Sequence, residues 1–196
     1  MATDIRILEA ALRVFREEGV RGATTRRIAQ EAGVNEVTLF RHFGTKEQLL
    51  LAAMRHDASI NAVPPAGRPT DPVDALTTWV ATTGARLASS KGMIRASMEQ
   101  LHEHPELCVQ SQEAPTRIRL GLAAWFEQLR EDGLAQGEWD AVDVAKLLMG
   151  GMFGEVMRPD APPSRTPEDL RAVAGAFARL VLRAVGAERQ IPEDVS

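Results

Sequence analysis

Residues 24–46 read TTRRIAQEAGVNEVTLFRHFGTK. Thr24 or Thr25 offers an N-cap for a short helix, its hydroxyl accepting an otherwise orphan amide, and Ile28 and Ala29 give that helix an apolar side. Gly33-Val34 breaks it. Asn35 can cap a second short helix, whose inward face is Leu39 and Phe43, four residues apart. Two short helices joined by a tight, glycine-containing turn form the helix-turn-helix pattern, in which the second helix enters a DNA major groove and the first crosses the backbone. With Leu39 and Phe43 inward, Val37, Thr38, Phe40 and Arg41 turn outward. Exposed valine and phenylalanine on a short helix are costly unless something covers them, and a thymine methyl is a natural partner. Arg26 and Arg27 stand at the start of the first helix, where free amides, helix dipole and side chains can meet a phosphate. Lys46 opens the next helix, where its ammonium can lie against the DNA backbone.

Working outward, Ile5, Leu8, Leu12 and Phe15 fall at helical spacing among charged residues and predict one apolar stripe, with Gly19 placed for a left-handed C-terminus. Beyond Gly44-Thr45, a fourth helix carries Leu49, Leu50, Ala53 and Met54. The stretch TTRRIAQEAGVNEVTLFRHFGTKEQLL strongly resembles the head of the tetracycline-repressor (TetR) family of bacterial transcriptional regulators. The resemblance covers residues 3–54 and rests on the paired threonines, the apolar pair, the Ala-Gly-Val turn, the run Thr-Leu-aromatic-x-His-Phe and Lys46. Residues 55–196 match only in helix count and length. The resemblance implies that Thr25, Arg26, Glu36, Val37, Thr38, Phe40, His42 and Lys46 occupy positions that commonly touch DNA, and that the remaining helices bind a ligand and dimerise. Val37 and Thr38 are expected to meet bases, and Thr25 and Lys46 to hold phosphates. Glu36 would accept from a cytosine amino group or pair with Arg41. One departure is Phe40: the family usually places tyrosine there, and this chain has no tyrosine at all.

Charge supports a local reader rather than a globally basic protein. The 196 residues carry a net −4, yet residues 21–46 hold five cations against two acids, a local +3, while residues 57–196 hold 14 cations against 20 acids, a net −6. Phosphate attraction is screened beyond about 10 Å, so such a patch suffices.

Past a proline-rich loop at 61–72, helices are expected at 73–89, 91–103, 106–132, 140–157 and 167–186, with Pro115 kinking or splitting the longest. A second proline-rich loop covers 157–167, and the tail QIPEDVS is expected to fray. The fold class is therefore all-α, about nine helices, divided into a helix-turn-helix head over 1–46 and a helical effector-binding and dimerisation body over 47–196.

Trp79, Met98, Leu122, Trp125, Phe126, Met152 and Phe153 are large apolar groups of the middle helices. Singly, each reads as ordinary core; together they could wall an apolar ligand cavity, centred on Trp125-Phe126 near Pro115 and Gly121. Glu99, His102 and His104 cluster before Pro105, but His residues two apart on a helix diverge and no third ligand completes a metal site. On the last helix Val173, Phe177, Leu180, Val181 and Ala184 form a stripe, and the preceding helix offers Leu147, Gly150, Gly151 and Gly154 for close approach. A two-fold dimer through a four-helix bundle would space two readers about 34–36 Å, or a multiple, apart.

A single cysteine, Cys108, excludes an internal disulfide and fits a reducing cytoplasm. No run approaches the ~18–20 apolar residues of a membrane span. There is no glycine-rich phosphate loop, metal-ligand spacing or serine elbow, so an enzyme and a resident cofactor are not expected. The expected function is a homodimeric regulator, a repressor by preference, that binds palindromic double-stranded DNA and is released by a small, largely apolar effector. The alternative is a helical protein-interaction module without sequence-specific DNA binding.

Overall fold

A computed structural model describes residues 2–61, 63–103, 112–158 and 167–187, and among them all regular structure is helical. In chain order the helices are α1 (Ala2–Gly22), α2 (Thr25–Glu31), α3 (Glu36–Phe43), α4 (Lys46–Asn61), α5 (Pro72–Ser89), α6 (Lys91–Glu103), α7 (Glu113–Glu131), α8 (Ala141–Met157) and α9 (Pro167–Ala184). None of these is long and apolar enough to cross a membrane. The chain divides into two compact units, 1–62 with 89–115, and 63–88 with 116–196.

In the first unit α2, α4 and α6 all pack on α1, and α3 sits against α2 and α4. Serving three neighbours requires a broad buried face, and α1 supplies Ile7, Ala10, Ala11, Leu12, Val14 and Phe15, its alanines permitting close approach. The stripe expected from Ile5, Leu8, Leu12 and Phe15 is therefore corrected: Ile5 is 44% exposed and Leu8 only partly buried, because the face turns toward Ile7 and Val14. Gly19 takes φ 70°, as a left-handed position there requires, and the chain resumes helical geometry to Gly22. Leu49, Leu50 and Ala53 of α4 and Met93 of α6 share one cluster with Ile7, Phe15, Ile28 and Leu39. Packing thus carries the first unit beyond residue 46, where the head was divided from the body on sequence. Asp57 of α4 is buried and ion-paired to Arg16 of α1 at 2.8 Å, a polar tie no apolar pattern reveals.

In the second unit Asp71 caps α5, accepting from the amides of Val73 and Asp74, and the Trp79 indole donates to the Val63 carbonyl at 2.9 Å. A Cβ on Gly121 of α7 would strike Pro64 at 2.6 Å, so that glycine seats the 61–72 loop. The α7 core is Leu122, Trp125, Phe126 and Leu129. Of the helix expected over 106–132 the described part is α7, which begins at Glu113 with Pro115 in its first turn, where a proline removes no intrahelical hydrogen bond; residues 106–111 lie outside the described residues. His104, Pro105, Cys108, the centre of the 157–167 loop and the tail from 190 lie outside the described residues. Asp140 caps α8, which meets α9 where Phe177 lies against Gly151, leaving no room for a Cβ.

Leu39 is 0% exposed. Leu39→Ala should lower the unfolding free energy by about 2–5 kcal/mol in urea titration, whereas Ile5→Ala should stay within about 0.5 kcal/mol.

Candidate nucleic-acid interface

The two short helices of the head are built by their caps. Thr24 is the N-cap of α2, its hydroxyl accepting from the Arg27 amide at 3.1 Å. Capping by Thr24 leaves the Thr25 hydroxyl for another use, and it donates to the Glu36 carboxylate at 2.5 Å, joining α2 to α3. At the other end of α2 the Val34 amide bonds the Ala29 carbonyl and the Gly33 amide that of Gln30. This is a Schellman closure, and Gly33 takes the left-handed φ of 64° that it needs. A guanidinium from α1 locks the turn: Arg6 donates to the carbonyls of Ala32 at 2.7 Å and Gly33 at 3.2 Å. Asn35 caps α3 by accepting from the Val37 amide at 2.8 Å. Thr45 and Gln48 cap α4 reciprocally, each side chain bonding the other's amide.

On α3, Leu39 is fully buried and Phe43 partly buried against the core, which turns the opposite face out. Val37 is 72% and Phe40 45% exposed; Arg41 is exposed beside them and Thr38 half-buried. His42 points elsewhere, its Nδ1 lying 2.5 Å from Asp4 of α1. That contact ties the last turn of α3 to the start of α1.

The cations separate into two groups. Arg26, Arg41 and Lys46 carry no hydrogen bond or ion pair and lie on α2, α3 and the first residue of α4. Arg27 is committed: it pairs with Glu31 at 2.8 Å and with Glu18 at 3.3 Å, and Arg13 holds Glu31 from the other side at 3.1 Å. Bonding to Arg27 first, then Arg13, holds the Glu31 carboxyl below its ordinary value, and Glu31 in turn raises the Arg27 guanidinium. Of the two acids among residues 21–46, Glu31 is thus neutralised by arginines and Glu36 is bonded to Thr25 rather than to Arg41. The face of α3 keeps its positive sign. Sequence patterning did not single out Arg6, Asp4, Arg13 or Glu18, because each reads as one more charge on the solvated side of α1.

The other expected sites divide similarly. Trp79, Leu122, Trp125, Phe126 and Met152 are buried, and the Trp125 and Phe126 rings meet edge-on at 5.3 Å. Met98 and Phe153 are 52% and 38% exposed, and Met98 belongs to the first unit while the others belong to the second. The buried face of α9 is Ala174, Ala178 and Leu182, continued by Val185 beyond its end. Val173, Phe177 and Val181 are half-buried on another face, with Leu180 and Ala184 exposed. Gly151 meets Phe177 within the chain, so it serves intrachain packing, while Gly150 and Gly154 face open space beside Leu147, which is 75% exposed. The described residues contain no group of His, Cys, Asp or Glu placed to hold a metal ion.

Comparison with known proteins fits this geometry. Residues 7–53 match the family model for bacterial regulatory proteins of the tetR family. The HTH-type transcriptional repressor AcnR of Corynebacterium efficiens is 49% identical over 53 residues, and the match spans 27% of this chain and 28% of that repressor. A Mesorhizobium loti structure assigned to the TetR family superposes with TM-score 0.76 at 22% identity, covering 94% of this chain and 97% of that one. The regulator FadR of Bacillus subtilis, solved with stearoyl-CoA, superposes with TM-score 0.68 at 17% identity, covering 91% and 97%.

The depressed Glu31 carboxyl stabilises the head above its ordinary value of 4.5, and that contribution disappears as pH falls through the lower folded-state value. Thermal melts of Glu31→Gln should therefore show a lower Tm than the parent at neutral pH and a vanishing difference in strong acid.

Proposed function

We propose that this chain, which belongs to the tetR family of bacterial regulatory proteins, is a homodimeric DNA-binding transcriptional repressor of the cytoplasm that leaves a palindromic operator when a small, largely apolar effector binds its second unit. The observation that carries this reading is the outer face of α3, where exposed Val37 and Phe40 stand with Arg41 on a helix fixed by Leu39. Methyl and ring contacts suit thymine in a major groove, and Arg26, Arg41 and Lys46 are uncommitted and free to neutralise phosphates. Thr25 enters this reading through its backbone, since its hydroxyl serves Glu36. Arg27 acts by holding α2 in place, and His42 by holding α3 to α1. Phe40 offers ring contact where a tyrosine would bond a phosphate.

Support for the dimer comes from the second apolar face of α8 and α9. Leu147 and Leu180 are 75% and 68% exposed, and Gly150 and Gly154 leave space for another helix. A second copy related by a two-fold axis would bury them and present two α3 helices to one duplex face. Support for an effector comes from the FadR structure, which holds stearoyl-CoA in a protein of the same fold. The effector would act by preferring the state whose heads are wrongly spaced, lowering DNA affinity by the coupling energy.

Fluorescence anisotropy against DNA from upstream of the chain's own gene tests the reading. Tight binding to one palindrome, far above binding to scrambled duplex, is expected. Arg41→Ala should weaken all sequences alike and reduce the salt slope by about 1. Val37→Ala should change base preference within a half-site; unchanged preference with weaker affinity would remove Val37 from base reading. Binding that is indifferent to sequence and vanishes at moderate salt would overturn the repressor function and favour the interaction-module alternative.

A further inference from the structure

We propose that Asp4 and Arg6, side chains of α1 outside the outer face of α3, act as positioning residues that brace α3 at both ends and so set how sharply the chain tells its operator from other DNA. Leu39 is the buried residue of α3 and sits near the middle of its eight residues, while Phe43 at its end is only partly buried. Burial at one central point decides which face turns out but resists rocking poorly. At about 1.5 Å per residue each end of α3 lies about 6 Å from its centre, so a tilt of about 10° displaces an end by about 1 Å. Reading a base requires side chains held within about 0.5 Å.

Two ties from neighbouring positions on α1 oppose that tilt. Ahead of α3, the Arg6 guanidinium donates to the Ala32 and Gly33 carbonyls at 2.7 and 3.2 Å, and its Nη2 stands 3.4 Å from where a Cβ on Gly33 would lie. That places a cation at the C-terminal end of α2, where the helix dipole favours one, and fixes the turn from which Asn35 and Glu36 start α3. In the last turn of α3, His42 Nδ1 lies 2.5 Å from Asp4 Oδ1. Asp4 and Arg6 stand either side of Ile5, just ahead of the fully buried Ile7 and Ala10, so both ties spring from a helix seated in the core. Because α3 packs on α2 and α4, the pair adds a third support from a different direction. The Asp4 and His42 side chains are 37% and 26% exposed, and solvated pairs of this kind contribute little to stability. A brace made from them therefore acts on recognition more than on folding. Phosphate attraction is blind to sequence and base contacts are not, so a looser α3 keeps its non-specific affinity and loses the specific increment.

The brace rests on the regulator reading above, and the ratio of operator affinity to scrambled-duplex affinity, measured by anisotropy on the full chain, tests it. Asp4→Asn removes a negative charge, so electrostatics alone would tighten binding to every duplex. The brace requires instead that the ratio fall by about tenfold, the scale of one lost base contact, with the melting temperature close to the parent's. Arg6→Gln should lower the ratio similarly, whatever the lost charge does to both duplexes. His42→Gln should lower it as well, and Asp4→Asn with His42→Gln together should go no further than either alone, since each acts through the other. An unchanged ratio in Asp4→Asn, additive losses in the double variant, or a ratio that falls only in step with the melting temperature would each overturn the brace. Asp4→Asn decides the matter even if Arg6→Gln fails to fold. Operator preference that survives every variant sinks the brace alone. A parent chain that prefers no sequence sinks the regulator reading, and the brace with it.

Discussion

The insertion of Leu39 into the core is the constraint on which the head depends. A helix of α3's length is marginal in water, since isolated helices below about 12–15 residues barely form. Its orientation must therefore be imposed from outside, and one fully buried leucine in a cluster with Ile7, Ile28, Leu49 and Leu50 imposes it. Once that side chain is seated, the 100° step of the helix leaves Val37, Phe40 and Arg41 nowhere to go but outward. The chain covers that outer face only in part, leaving Val37 72% and Phe40 45% exposed. Its apolar exposure is a cost the inner face sustains, which is why a partner is needed to account for it.

Polar fastening then sharpens what burial sets. Arg6 grips the turn, Thr25 and Glu36 join the two short helices, and Arg13, Arg27, Glu18 and Glu31 link α2 to the side of α1. Exposed ion pairs of this kind contribute little to stability individually. Their effect here is on the surface field: they neutralise Glu18 and Glu31 and leave Arg26, Arg41 and Lys46 to outnumber the Glu36 carboxylate. The positive patch is produced as much by neutralised carboxylates as by the number of arginines.

Much of the head was legible because its signals are local. Threonine, asparagine and glycine at helix ends act on amides a few residues away, and the Leu39–Phe43 spacing fixes a face with no knowledge of distant residues. What was not legible came from contacts far along the chain. Arg6 and Ala32 are 26 residues apart, and Arg16 and Asp57 are 41 apart; no spacing rule announces such pairs. The exposure of Ile5 was missed for the same reason, since α1 chooses its inner face only when α2, α4 and α6 arrive. In the second unit the apolar residues Leu122, Trp125 and Phe126 of α7 were readable as large buried groups from their spacing alone.

The central claim is that α3, oriented by Leu39, lies in a major groove as one of a symmetric pair. Hydroxyl-radical footprinting on the bound duplex tests this most directly. Two symmetric protected patches centred about one helical turn, or a whole multiple of it, apart are expected, with protection disappearing in a folded variant whose outer face is altered at Val37, Phe40 and Arg41. Uniform protection along the duplex, or a footprint that survives those changes, would contradict it.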